Sequence, residues 1–132
     1  MRVSLIQDNI HWADKTTNLR KTEVQLAALS GSTDLVVLPE MYTTGFCVDQ
    51  LFLAEDMEGE TVKTLIHWAT TYHLAIAGSF IAVENNKYFN RAFFVFADGR
   101  IEIADKRHLF TMGGEQNYFS AGDKHLIVNY WI

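Results

Sequence analysis

Two charged residues stand where they could do acid–base chemistry. Glu40 lies in the string VVLPEMYTTGF and Lys106 in IADKRHLF, each directly beyond the carboxyl end of a run that reads as a strand. In open α/β sheets the crevice outside the carboxyl ends of the strands is where ligands bind. A carboxylate beside a fixed ammonium can take a proton from a nucleophile and pass it to a leaving group. The ammonium can meet the negative charge that grows on a carbonyl oxygen under attack. Position alone does not separate that chemistry from an ordinary ion pair between two surface turns, and spacing alone favours the ion pair.

The other reactive residue types narrow the choice. Cys47 is the single cysteine, so the chain can form no intrachain disulfide and no cysteine-rich metal site. Its place in Gly45-Phe46-Cys47 suits a small buried residue in a loop. The five histidines have no metal-site spacing, because His67 and His73 are six apart rather than at the i, i+4 pairing of a zinc-binding helix. They read as surface or capping residues. His108 stays open between packing and a role at the site, since it lies between Lys106 and Phe110. Arg107 suits a substrate carboxylate and a solvated charge equally well. Tyr42, Phe46, Phe110 and Met112 flank the two charges and could wall a small pocket, although aromatic residues are 13% of the chain and most belong in a core.

The elements that must position these groups are readable from pattern. Residues 2–8 (RVSLIQD) suit a strand, and a helix follows from about Asp14, a plausible N-cap, to Ser30, with Gly31 as its stop. Leu35 to Leu38 is short, wholly apolar and ended by Pro39, as a strand buried on both faces would be. Val62, Leu65, Ile66 and Ala69 fall at i, i+3, i+4 and i+7, which predicts a helix packed on a sheet. Leu74 to Phe80 reads as another strand, and Tyr88 to Phe96 with Ile101 to Ala104 as a hairpin around Asp98-Gly99. From Arg107 to Lys124 the chain lacks a period and reads as a long ordered loop, of the kind that is usually functional. His125 to Ile132 (HLIVNYWI) reads as a last strand. The order β-α-β-α-β-β-β predicts a layered α/β architecture with no internal repeat and no linker.

Composition sets the class. The chain has 132 residues, 48% hydrophobic and 20% charged, with a formal net charge of -5, which is the balance of one globular domain or one piece of it. The acidic balance removes the electrostatic reason to expect nucleic acid. No apolar run reaches the roughly 20 residues of a membrane helix, and Met1-Arg2 opens no signal-peptide plan, so a cytoplasmic protein with no membrane partner is expected. No G-x-G-x-x-G follows the first strand, which sets a dinucleotide-binding protein aside.

LPEM followed by Gly45-Phe46, then DKRHLF, then GEQNYFSAGD resemble, in order and spacing, three signature segments of the nitrilase superfamily of carbon–nitrogen hydrolases. The resemblance covers the whole chain, and the wording of PEMYTTGF and DKRHLF is most similar to the omega-amidase branch. It implies that residues 1–132 are the N-terminal portion of a single hydrolase domain, half of an α-β-β-α four-layer sandwich. It further implies hydrolysis of the terminal amide of a small 2-oxo dicarboxylic acid monoamide through a cysteine thioester, with no metal or organic cofactor. Glu40 matches the family's general base and acid, and Lys106 the residue that stabilises the tetrahedral intermediate. Glu115 matches a second glutamate that holds the lysine. The family's nucleophile follows the strand after the GE-containing loop, where this sequence offers no cysteine, and Cys47 does not match that position. The chain alone is therefore expected to be inactive, with an apolar sheet face left bare and a need for its missing half or further copies of itself. A non-catalytic module that associates through that sheet is the alternative from a different class.

Overall fold

Short apolar runs and two helical stretches, the second of them amphipathic, assemble into a five-stranded mixed sheet with two α-helices in the computed structural model, which describes residues 1–131. The strands are β1 (Val3–Leu5), β2 (Leu35–Val37), β3 (Ala75–Glu84), β4 (Lys87–Val95) and β5 (Ile101–Asp105), and the helices are α1 (Lys15–Leu29) and α2 (Glu60–Tyr72). Their order across the sheet is β1-β2-β3-β4-β5, parallel from β1 to β3 and antiparallel from β3 to β5. None of the described helices is long and apolar enough to cross a membrane.

Local chemistry explains both helices. The Asp14 carboxylate accepts the Thr17 N–H at 3.0 Å and caps α1, and Gly31 follows its end at φ 75°. In α2 the predicted stripe turns inward, with Val62, Leu65, Trp68 and Ala69 buried, and His73 ends the helix in the left-handed conformation at φ 54°. Glu55 ties the two helices together. It pairs with Lys15 of α1 at 2.7 Å and accepts the Thr61 N–H at the start of α2 at 3.1 Å. Val36, Leu38, Ile76, Phe80, Phe93 and Val95 meet the helices in one core. Each large aliphatic or aromatic side chain buried there contributes about 1.5–3 kcal/mol.

The period of two along β3 and β4 divides their side chains between the sheet's faces. Ile76, Phe80, Phe93 and Val95 belong to the helix-side core, whereas Ala75, Phe94 and Phe96 form a separate cluster on the other side. Arg91 faces the helix side, is 2% exposed, and is held by Asp105 at 2.7 and 3.0 Å and by Glu84 at 2.6 Å. Its neighbour Asn90 faces the opposite side.

Three expectations change. The strand predicted to end at Phe80 continues to Glu84 and turns back through Asn85 and Asn86, both at positive φ (50° and 59°), into β4. A two-residue turn of that hand matches the twist of the strands it joins. The strand predicted over 2–8 is only Val3–Leu5. The last predicted strand does not form over His125–Trp131, because no neighbour among the described residues pairs with it; Ile132 lies outside the described residues. The segment keeps a strand's alternation, with Leu126, Val128 and Tyr130 packed inward and Ile127 and Trp131 exposed. Tyr130 stacks edge-on against Phe94 at 5.3 Å and Phe96 at 6.0 Å, and its hydroxyl donates to the Asp34 carbonyl at 3.1 Å. The sheet face expected to be bare is thus partly covered by the chain's own tail.

Candidate active site

Glu40 follows β2 and Pro39, and the next residue, Met41, is buried at φ 49°. A side chain in that left-handed region costs about 1–2 kcal/mol, and the surrounding bonds hold it there. The Met41 N–H donates to the Ser79 hydroxyl at 2.9 Å and the Tyr42 N–H to the Ser79 carbonyl at 3.2 Å, both on β3. Thr44 and Gly45 then bond back to the Met41 carbonyl at 3.0 and 2.8 Å. The turn is pinned to β3 while Glu40 stays at its tip, its side chain half exposed.

Lys106 follows β5. Its backbone N–H donates to the Asn90 carbonyl at 2.9 Å, and its carbonyl accepts from Gly122 at 2.9 Å. A Cβ on Gly122 would stand 2.2 Å from the Asp105 carbonyl oxygen, so only glycine allows the returning loop to close on the lysine's backbone. Within the loop, two 3-10 turns, Thr111–Gly113 and Glu115–Asn117, replace the purely irregular stretch that was expected. They carry Glu115 into the interior, where it is 0% exposed.

The three charged side chains meet. Lys106 Nζ lies 2.8 Å from Glu40 Oε1 and 3.0 Å from Glu115 Oε2. Glu115 Oε2 also accepts the Phe110 N–H at 2.6 Å. Asn90 Nδ2 donates to Glu40 Oε1 at 2.7 Å and to Glu115 Oε1 at 3.2 Å. Burial works against the charge on Lys106, but the hydrogen bonds and charges of Glu40 and Glu115 outweigh it and hold the ammonium above its ordinary value of 10.5. Lys106 therefore stays cationic through the neutral range. Phe46 places its ring 5.4 Å from Nζ, a cation–π contact, and stands edge-on to Phe110 with centroids 6.0 Å apart.

A cavity of about 520 Å³ opens beside this cluster, lined by Glu40, Phe46, Lys106, His108, Leu109 and Phe110. Phe46 and Phe110 are where a pocket wall was expected, and His108 is exposed on the same wall. Tyr42 is not. It is 2% exposed in the helix-side core, edge-on to Phe93 at 6.0 Å, so its proposed contact with a substrate is corrected to a packing role. Burial, with the nearby Glu55 charge, pushes its phenol well above the ordinary value of 10.0. Met112 is exposed and lies outside the cavity's lining. Arg107 is exposed and contacts His125 through its guanidinium.

Cys47 is fully buried among Met41, Val48, Ile81 and Phe119, with Sγ 3.5 Å from the Thr44 carbonyl. Burial pushes its thiol up despite that bond, which is the reverse of what a nucleophile needs. Asn90 was missed by the sequence reading. Its signal is the Asn90-Arg91 pair in the middle of an otherwise apolar strand, which places one polar group on each face.

With the site described, the likeness to known proteins has a basis in geometry. The carbon–nitrogen hydrolase family matches residues 2–129, and the chain belongs to it. Among its relatives, an omega-amidase YafV from Yersinia enterocolitica is 35% identical over 98% of this chain and 50% of its own length. The YafV of Escherichia coli (strain K12) is 33% identical with the same coverage, and a 2-oxoglutaramate amidase from Bacillus subtilis (strain 168) is 28% identical over 92% of this chain and 48% of its own. A CN-hydrolase superfamily protein from Xanthomonas campestris, solved with an arsenic adduct in the active site, superposes with a TM-score of 0.94 at 37% identity, over 98% of this chain and 49% of that one. An amidase from Nesterenkonia sp. AN1 shares the fold, with a TM-score of 0.87 at 20% identity, over 99% of this chain and 53% of its own. The chain spans about half the length of the curated relatives it matches. It supplies one sheet and one helix layer of the family's architecture.

Proposed function

We propose that the protein, in a form that carries a nucleophilic cysteine, hydrolyses the terminal amide of a small 2-oxo dicarboxylic acid monoamide and releases ammonia. The observation that carries this reading is the Lys106 ammonium clamped between Glu40 and Glu115 at 2.8 and 3.0 Å on a cavity wall. The choice of amide leans on the omega-amidase and 2-oxoglutaramate amidase relatives.

In this scheme Glu40 takes the proton from the thiol, and the thiolate attacks the amide carbon. Lys106 meets the developing oxyanion, and Glu115 keeps the lysine aimed at it. Glu40 returns the proton to the nitrogen as the C–N bond breaks, then takes a proton from the water that hydrolyses the thioester. Phe46 and Phe110 shield the cavity and flank the substrate. Cys47 is not the thiol of this scheme, since it is buried outside the cavity. A cytoplasmic setting, where a free thiol stays reduced, and assembly with copies of itself belong to the same reading. Sedimentation of the full-length protein checks the assembly.

Ammonia release from a 2-oxo dicarboxylic acid monoamide tests the proposal. The 132-residue chain is expected to release none above a Cys47→Ala control. The full-length protein is expected to be active, and Glu40→Gln to lower its rate by about 100-fold or more. Turnover by the short chain that Cys47→Ala abolishes would overturn the assignment of the nucleophile. Full activity in Glu40→Gln would overturn the role of the carboxylate.

A further inference from the structure

We infer that Asn90 is a positioning residue for proton transfer, and that its amide leaves Glu40 Oε2 as the oxygen that exchanges protons with substrate. The inference rests on the proposed role of Glu40 and adds a residue and a specific atom to it. Asn90 is 2% exposed, sits in the middle of β4, and does not line the cavity. It nevertheless contacts both carboxylates through its side chain and the Lys106 backbone through its own main chain. Its Nδ2 donates to Glu40 Oε1 and Glu115 Oε1 at 2.7 and 3.2 Å, and its carbonyl accepts the Lys106 backbone N–H at 2.9 Å.

Charge explains why an amide is placed there. Two carboxylates and one ammonium leave the cluster one negative charge in excess, and Glu115 is wholly out of solvent. A buried carboxylate is tolerated only when its oxygens accept hydrogen bonds. A side-chain amide supplies two N–H donors without altering the charge. A hydroxyl would supply one, and a second cation would compete with Lys106 for both glutamates. The nitrogen rather than the oxygen must face the carboxylates, because two acceptors would repel.

The same bonds divide the two oxygens of Glu40. Oε1 accepts from both Asn90 and Lys106, and no hydrogen bond among the described residues reaches Oε2. The side chain is 51% exposed and lines the cavity. One oxygen is anchored and the other is presented. Glu115, by contrast, accepts donors on both oxygens and has none to present.

The test uses Asn90→Leu, which keeps the volume and removes both donors, and Asn90→Ser, a smaller change that keeps one, in the full-length protein. Thermal melts establish that each is folded, and Asn90→Ser serves if Asn90→Leu is not. In amide hydrolysis kcat is expected to fall about tenfold in Asn90→Leu, the scale of a lost charge-assisted hydrogen bond, with KM held within about twofold. Asn90→Ser falls between. The second readout needs no activity: limited acetylation, mapped by mass spectrometry, compares Lys106 with exposed Lys63. Lys106 is expected to label about threefold faster or more in Asn90→Leu as Glu40 loses its anchor. Unchanged kcat with an unchanged labelling ratio in a folded variant would overturn the inference, as would a rise in KM alone. If the wild-type protein hydrolyses no amide, the proposed function fails, and the labelling ratio still decides whether Asn90 anchors Glu40 against Lys106.

Discussion

Glu115 shows how narrowly one side chain can be specified. Its Oε1 faces the Asn90 amide, and its Oε2 faces both the Lys106 ammonium and the Phe110 N–H. Glutamine has the same shape, yet either flip of its amide points a donor at a donor. Glu115→Gln is therefore expected to destabilise the protein by about 3 kcal/mol, the low end for breaking a buried ion pair, because Lys106 keeps Glu40. A shift of the urea midpoint at unchanged slope measures it. The residues of this cluster differed in how legible they were. Glu40 and Lys106 announced themselves by standing past strand ends, and Glu115 only by resemblance to a family string. Asn90 was hidden because its partners are 50 and 25 residues away in sequence, and a lone strand asparagine predicts no partner. Tyr42 was misplaced because an aromatic two residues from a carboxylate has the same spelling whether it faces a cavity or a core.

Between elements, Glu55 is the tie. Desolvation raises its carboxyl, but Lys15 and Thr61 more than offset that and hold it below the ordinary 4.5. A carboxylate depressed in the folded state contributes stability that is complete above its unfolded value and is lost as pH falls through the folded one. Acid unfolding should thus begin below about pH 4.5 with loss of the α1 to α2 contact, and Glu55→Gln should lower stability at pH 7 by about 1–2 kcal/mol while flattening that acid limb. Circular dichroism from pH 7 to 3 reads both. The helices were legible because a cap, a stop and a 3.6-residue stripe are local signals. The β3–β4 turn was not, since Glu84-Asn85-Asn86-Lys87 carries no glycine and reads as any polar loop until the pairing of Val83 with Tyr88 defines it. The tail failed as a predicted strand for a related reason: alternation specifies faces, but a ladder needs a neighbour.

At the scale of the whole molecule, helices cover one face of the sheet and the tail covers part of the other. Tyr130 is the keystone of that second cover. Tyr130→Ala is expected to cost about 2 kcal/mol, less than a fully buried aromatic would, and to raise the binding of a hydrophobic dye as Phe94 and Phe96 are uncovered. Dye fluorescence unchanged from wild type would show that the tail shields nothing in solution. The sheet carries one more consequence, which concerns errors of assembly. Asn90 and Arg91 are neighbours that point to opposite sides, the amide toward Glu40 and Glu115 and the guanidinium toward Glu84 and Asp105. If β4 slipped by a single position the two would trade sides. A guanidinium would then crowd Lys106, and Asp105 and Glu84 would lose their cation. The mispaired hairpin is penalised on both surfaces at once, so this pair of neighbours proofreads the alignment of the strands.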